Sequence, residues 1–225
     1  MQNTQKTNII PYVLLCLFAL GVVFFYWPGF LSPDSRTQLS QAISGQYTDG
    51  SPPMMALYWG LWIWWKQGPE PIFLTHQFLL FGSAFILLRS LKGKKISWIV
   101  PFIPMVPHIL FYSGAIWKDI GFAYTFLGAA LLLLSANVQQ TKLSLFKTAL
   151  IWLFLFYGTG VKYQAIFVLP IMTFWFAITL LKNQTLLRKI IAWVVLWVSV
   201  LAACHLLQKA LVPPKGEDHM WQHVK

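Results

Sequence analysis

All six carboxylates of this 225-residue chain, Asp34, Asp49, Glu70, Asp119, Glu217 and Asp218, fall in gaps between apolar runs. Two of them stand beside cations. Asp34 belongs to Pro33-Asp34-Ser35-Arg36 and Asp119 to Trp117-Lys118-Asp119, while a third cation, Lys162, opens Lys162-Tyr163-Gln164-Ala165 after the paired glycines of Gly158-Thr159-Gly160. A carboxylate can take a proton from a hydroxyl, ammonium and guanidinium groups hold phosphate, and Tyr and Gln side chains bond to sugar-like hydroxyls. Together these types supply a proton acceptor, holders of phosphate and partners for hydroxyls, which work best at a positioned, water-poor boundary. Each residue also has a plainer use. Asp34 can cap the helix that Pro33 opens, Lys118 and Asp119 can form a surface pair, Lys162 can snorkel to an interface, and Arg36 can sit on a solvated helix face. Tyr47 and Asp49 read as turn residues.

The remaining chemistry-bearing residues point elsewhere. His76, His108 and His205 fall at or within apolar runs, where a hydrogen-bonded core histidine is the ordinary case. His219 and His223 stand four apart beside Glu217 and Asp218, but without the Glu of a His-Glu-x-x-His arrangement they do not make a metal motif. Asp34 and Asp119 could share a divalent metal, although two carboxylates without a third ligand are a weak set, and no metal site is assigned. Cys16 and Cys204 lie inside apolar runs and read as small apolar side chains.

The elements that must position these groups are membrane-spanning. Apolar residues make up 57% of the chain and charged residues 10%, and the mean hydropathy is +0.61; the apolar runs approach or exceed the ~18 residues of a bilayer span. The net charge of +11 therefore reads as orientation and headgroup contact, and nucleic acid is not an expected partner. Spans are expected near 9–30, 71–91, 96–116, 120–137, 148–161, 165–181 and 189–210, giving an all-α polytopic bundle of about seven crossings. The run at 9–30 lacks a small-residue cleavage site and is read as a retained anchor. With a cytoplasmic N-terminus, the inner segments carry Lys6, Arg89, Lys92, Lys94, Lys95, Lys142, Lys147, Lys182, Arg188 and Lys189 and no acid, so every carboxylate faces outwards. That places the chemistry on the periplasmic or extracellular face of a bacterial inner membrane.

The first outer loop, 31–70, should hold two short interfacial helices. Ser32 or Asp34 caps the first, Gly45 ends it, and Asp49-Gly50 turns the chain. The second, near 54–65, gathers Tyr58, Trp59, Trp62, Trp64 and Trp65 at the headgroup level. Residues 1–211 form the transmembrane module. The tail at 212–225 reads as an outer segment that breaks off without an obvious stop.

Pro33-Asp34-Ser35 after the first span, the two interfacial helices, Trp117-Lys118-Asp119 and Lys162-Tyr163-Gln164-Ala165 together resemble the integral-membrane glycosyltransferases of the GT-C superfamily. The likeness covers roughly residues 8–210, the seven-span module with which such enzymes begin; many relatives carry Arg where Lys162 stands, and most continue further. It implies a polyprenyl-phosphate sugar as donor, Asp34 as catalytic base, and Asp119 at the donor phosphate, sometimes through a metal. Lys118, Lys162, Arg36, Tyr163 and Gln164 would bind substrate. The acceptor, whether glycan, lipid or protein, stays open. Two other classes remain: a transporter, which should place charges or broken helices at mid-membrane, and a non-catalytic subunit of a cell-envelope complex.

Overall fold

The protein is described by a computed structural model at residues 8–48 and 50–212. It is all-helical apart from two two-residue strands. The order is α1 (Ile10–Tyr26), β1 (Phe30–Leu31), α2 (Pro33–Ser44), α3 (Met54–Gly60), α4 (Glu70–Ser90), 3-10 turns at Lys95–Trp98 and Val100–Met105, and α5 (Pro107–Ser113). β2 (Ala115–Ile116), α6 (Lys118–Val138), α7 (Leu145–Val161), a 3-10 turn at Tyr163–Phe167, α8 (Leu169–Leu180) and α9 (Leu186–Leu211) follow.

Three helices, α4, α6 and α9, are long and apolar enough to cross a membrane, and three shorter apolar helices, α1, α7 and α8, accompany them. The expected continuous span at 96–116 is instead broken, with the 3-10 segment and α5 meeting at 51°. The cause is in the sequence: Pro101, Pro104 and Pro107 remove backbone donors and crowd the preceding carbonyls, so an α-helix cannot run through. The second loop helix also ends early, at Gly60, and its aromatics divide. Trp59 is fully buried and donates its indole N–H to the Gly68 carbonyl, whereas Trp62, Trp64 and Trp65 remain exposed. Asp49 and the tail with Glu217, Asp218, His219 and His223 lie outside the described residues.

Local signals set the helix that matters most. Ser32 accepts a hydrogen bond from the Ser35 amide, Pro33 occupies the first turn, and Gly45 ends α2 in a left-handed conformation, as the Ser-Pro start and Gly stop require. α2 turns its polar residues Ser35, Gln38 and Gln41 inwards, with Ala42.

Side-chain contacts relate the helix ends. The far ends of α6 and α8 meet where the Asn137 amide donates to Thr179 Oγ1 at 3.0 Å and the Lys182 ammonium to the Ala136 carbonyl at 3.2 Å. α6 and α7 pack so closely that a Cβ on Gly128 would stand 2.8 Å from the Phe154 ring, and one on Gly158 2.6 Å from Thr125 Oγ1. In lipid, such small-residue contacts hold helices together by packing rather than by removing water. Beneath the strand pair, Met55, Trp59, Ile72, Phe73, Ile116 and Val161 form a separate buried cluster. Two of its members, Ile116 and Val161, lie within two residues of a candidate cation.

Candidate functional site

β1 and β2 are parallel neighbours, with Phe30 opposite Ala115 and Leu31 opposite Ile116. Each strand leads straight into a helix start. The pairing therefore brings the first turn of α2 beside the first turn of α6, and the Ser35 hydroxyl locks the register by donating to the Ile116 carbonyl. Gly29 makes the approach possible. Its φ is +100° and a Cβ there would lie 3.0 Å from Ile116 Cδ1 and 3.1 Å from Phe73, so a side chain would be both strained and crowded.

Asp34 and Asp119 occupy equivalent places, each in the first turn of its helix, where the helix dipole favours an acid. Lys118 Nζ reaches across the strand pair to 3.3 Å from Asp34 Oδ2. Lys162, in extended backbone just past α7, pairs with Asp119 Oδ1. Because Lys118 and Asp119 adjoin in sequence, the four groups make one alternating row: Asp34, Lys118, Asp119, Lys162. The acids are the open members, with side-chain exposures of 71% for Asp34 and 48% for Asp119, while the lysines keep only 26% and 25%. The lysine stems are thus packed and their heads presented. α6 starts at Lys118 behind Trp117, which provides no side-chain cap, and uncapped amides at a helix start suit an anion.

The other expected binding residues are not drawn into this row. Arg36 is exposed on α2 without an ion-pair partner among the described residues. Tyr163 is half-exposed and its hydroxyl accepts from Gln208 Nε2 at 3.1 Å; Gln164 is exposed beside it. Glu70, the remaining described carboxylate, pairs with Lys66, four residues earlier in sequence, at 3.6 Å.

Among the described residues no three His, Cys, Asp or Glu side chains gather as a metal set. The two nearest carboxylates each face an ammonium, so a divalent cation would have to displace both lysines, and the donor set does not fit one.

The histidines depart from expectation. His76 is fully buried, but neither ring nitrogen has a side-chain hydrogen-bond partner among the described residues; its ring stands edge-on to Tyr124, with Nε2 facing Gly121. His108 and His205 are exposed rather than core residues. Sequence reasoning missed Ser35 as the clasp between the two loops. Its signal was present only as a small hydroxyl three residues after a capping serine.

An apolar groove of about 720 Å³ opens between α1 and α4, walled by residues that include Leu15, Ala19, Phe78, Gly82 and Phe154. It shares Leu74 and Phe78 with a second cavity of about 590 Å³ lined by Tyr58, Trp62, Trp64 and Trp65. None of the four row residues walls either one. Comparison with protein-family models, curated proteins and solved structures finds no match for this chain.

Proposed function

We propose that the chain is an integral-membrane glycosyltransferase of GT-C type that moves a sugar from a polyprenyl-phosphate donor to an acceptor hydroxyl on the outer face of a bacterial inner membrane. The observation that carries this reading is the alternating row of Asp34, Lys118, Asp119 and Lys162, in which the β1–β2 pairing joins the starts of α2 and α6 and Lys162 is added from the end of α7. α4, α6 and α9, the bent pair, and α1, α7 and α8 supply seven crossings in this reading, with the row at the outer boundary. The apolar groove, continuous through Leu74 and Phe78 with the aromatic cavity above it, suits a long prenyl chain entering sideways from lipid.

Asp34 takes the proton of the acceptor hydroxyl as that oxygen bonds to the anomeric carbon. The carbon–oxygen bond to phosphate breaks and the electron pair leaves with the polyprenyl phosphate. Lys118 and Lys162, released from their carboxylates, turn to that phosphate; between turnovers Asp34 holds Lys118 and Asp119 holds Lys162. Arg36, Tyr163 and Gln164 stand outside the row, the Tyr163 hydroxyl being taken by Gln208, and have no part in this step.

Purified protein in lipid vesicles, given a panel of radiolabelled polyprenyl-phosphate sugars and a mixed envelope acceptor fraction, should transfer label. Asp34→Asn should lower that transfer by roughly 10²–10⁴-fold with an unchanged melting temperature. Full activity in that variant removes Asp34 as the base. No transfer from any donor by the unaltered protein favours the non-catalytic subunit.

A further inference from the structure

We propose that the end of the bundle opposite the charged row holds a binding site for the phosphate headgroup of an anionic phospholipid, formed by Lys92, Lys94 and Lys95. This site is independent of the sugar-transfer reading. α4 starts at Glu70 and ends at Ser90, a rise of roughly 30 Å, so the two ends are a bilayer apart.

Three lysines within four residues surround one polar cavity of about 160 Å³, which Tyr12, Ser97 and Trp98 also line. Gly93, at φ +79°, turns the chain between Lys92 and Lys94 so that both stand at the same rim. No ammonium of the three has a hydrogen-bond or ion-pair partner among the described residues. The described carboxylates, Asp34, Glu70 and Asp119, are all at the other end. Lys182 shows the alternative fate of a lysine at this level, since its ammonium is taken up by the Ala136 carbonyl. Uncompensated positive charge around a small polar cavity attracts a compact anion.

The surroundings choose the source of that anion. Ile96, Trp98, Ile99 and Phe102 follow directly and are 56%, 40%, 60% and 49% exposed, an apolar strip on which acyl chains can lie beneath the headgroup. Tyr12 and Trp98 provide the amphipathic rings found at headgroup depth. A free phosphate would use the lysines but not the strip, so the occupant is a lipid. Orientation alone needs bases somewhere at this end, as Lys142, Lys147 and Lys189 illustrate; it does not need three converging on one cavity.

Delipidated protein titrated with phosphatidylglycerol or phosphatidylcholine, read by native mass spectrometry and by melting temperature, tests the site. Phosphatidylglycerol should bind and stabilise, and the triple change Lys92→Gln, Lys94→Gln, Lys95→Gln should weaken that binding on the order of a hundredfold. The control triple Lys142→Gln, Lys147→Gln, Lys189→Gln should bind within about threefold of the unaltered protein. Equal losses in both triples, or equal binding of the two lipids, overturn the proposal. Inorganic phosphate protecting as well as phosphatidylglycerol overturns the lipid as its source. Melting in phosphatidylcholine alone shows whether the variants remain folded.

Discussion

Asp34 and Asp119 begin their helices alike, yet their surroundings divide their work. Asp34 is the more open of the two and faces Lys118, the cation of the other loop; Asp119 is more enclosed and faces Lys162, the cation that follows α7. Ion pairs this exposed contribute at most about 1 kcal/mol to stability, so holding the fold together is a poor reason for building four charges into one row. Lys162→Ala should accordingly change the unfolding free energy by less than about 1 kcal/mol while weakening donor binding at least tenfold and sparing turnover. Equilibrium binding of a polyprenyl-phosphate sugar against single-turnover rates separates the two effects. An unchanged donor affinity would reject the phosphate clamp. Of the candidate residues, these four were legible because acids and bases at span boundaries are rare in an apolar chain. Arg36, Tyr163 and Gln164 were drawn from neighbouring positions, and adjacency in sequence does not give direction: a helix turns successive side chains by about 100°.

At the scale of elements, the site depends on two dipeptide strands. Phe30–Leu31 and Ala115–Ile116 are too short to show any alternation in the sequence, and their pairing spans more than eighty residues, which no local signal encodes. The helix that β1 feeds was legible: the Ser32 cap, Pro33 and the Gly45 stop of α2 act as their residue types dictate. The break within 95–113 has a sequence cause in Pro101, Pro104 and Pro107, whose missing donors stop an α-helix however apolar the run is. Since the Ser35 hydroxyl serves the buried Ile116 carbonyl, Ser35→Ala leaves that acceptor without its partner, a loss of about 1–3 kcal/mol. Thermal unfolding should register it. Gly29→Ala attacks the same junction from the other side, through a strained φ and contacts of 3.0 Å, and transfer activity should fall in both variants even where the fold survives. Full activity in Gly29→Ala would mean that the strand register does not set the row.

For the whole molecule, the decisive matter is which segments cross the bilayer. α7 has 17 residues and α8 only 12, rises of roughly 26 and 18 Å against a hydrocarbon thickness of about 30 Å. Length alone would leave both short. Their ends say otherwise: α7 runs from Ser144, near the far end of α6, to Lys162, which touches Asp119 at the start of α6. α8, with the 3-10 turn at Tyr163–Phe167 extending it, returns to meet Asn137 and Ala136 again. Both therefore cover the same thickness as α6, which at 21 residues is long and apolar enough to cross a membrane, and local thinning of a bilayer can absorb the difference. In a chain whose Cys16 and Cys204 are replaced by Ala, single cysteines at Gln46 and Gln164 should react with a membrane-impermeant maleimide from one side only. Cysteines at Lys94, Lys142 and Asn183 should react only from the other. Opposite labelling of Lys142 and Gln164 establishes the crossing by α7, and opposite labelling of Gln164 and Asn183 that by α8. If Gln164 labels together with Lys142 and Asn183, α7 and α8 form a re-entrant pair, Lys162 cannot reach the outer boundary, and the row loses the cation on which its phosphate chemistry depends.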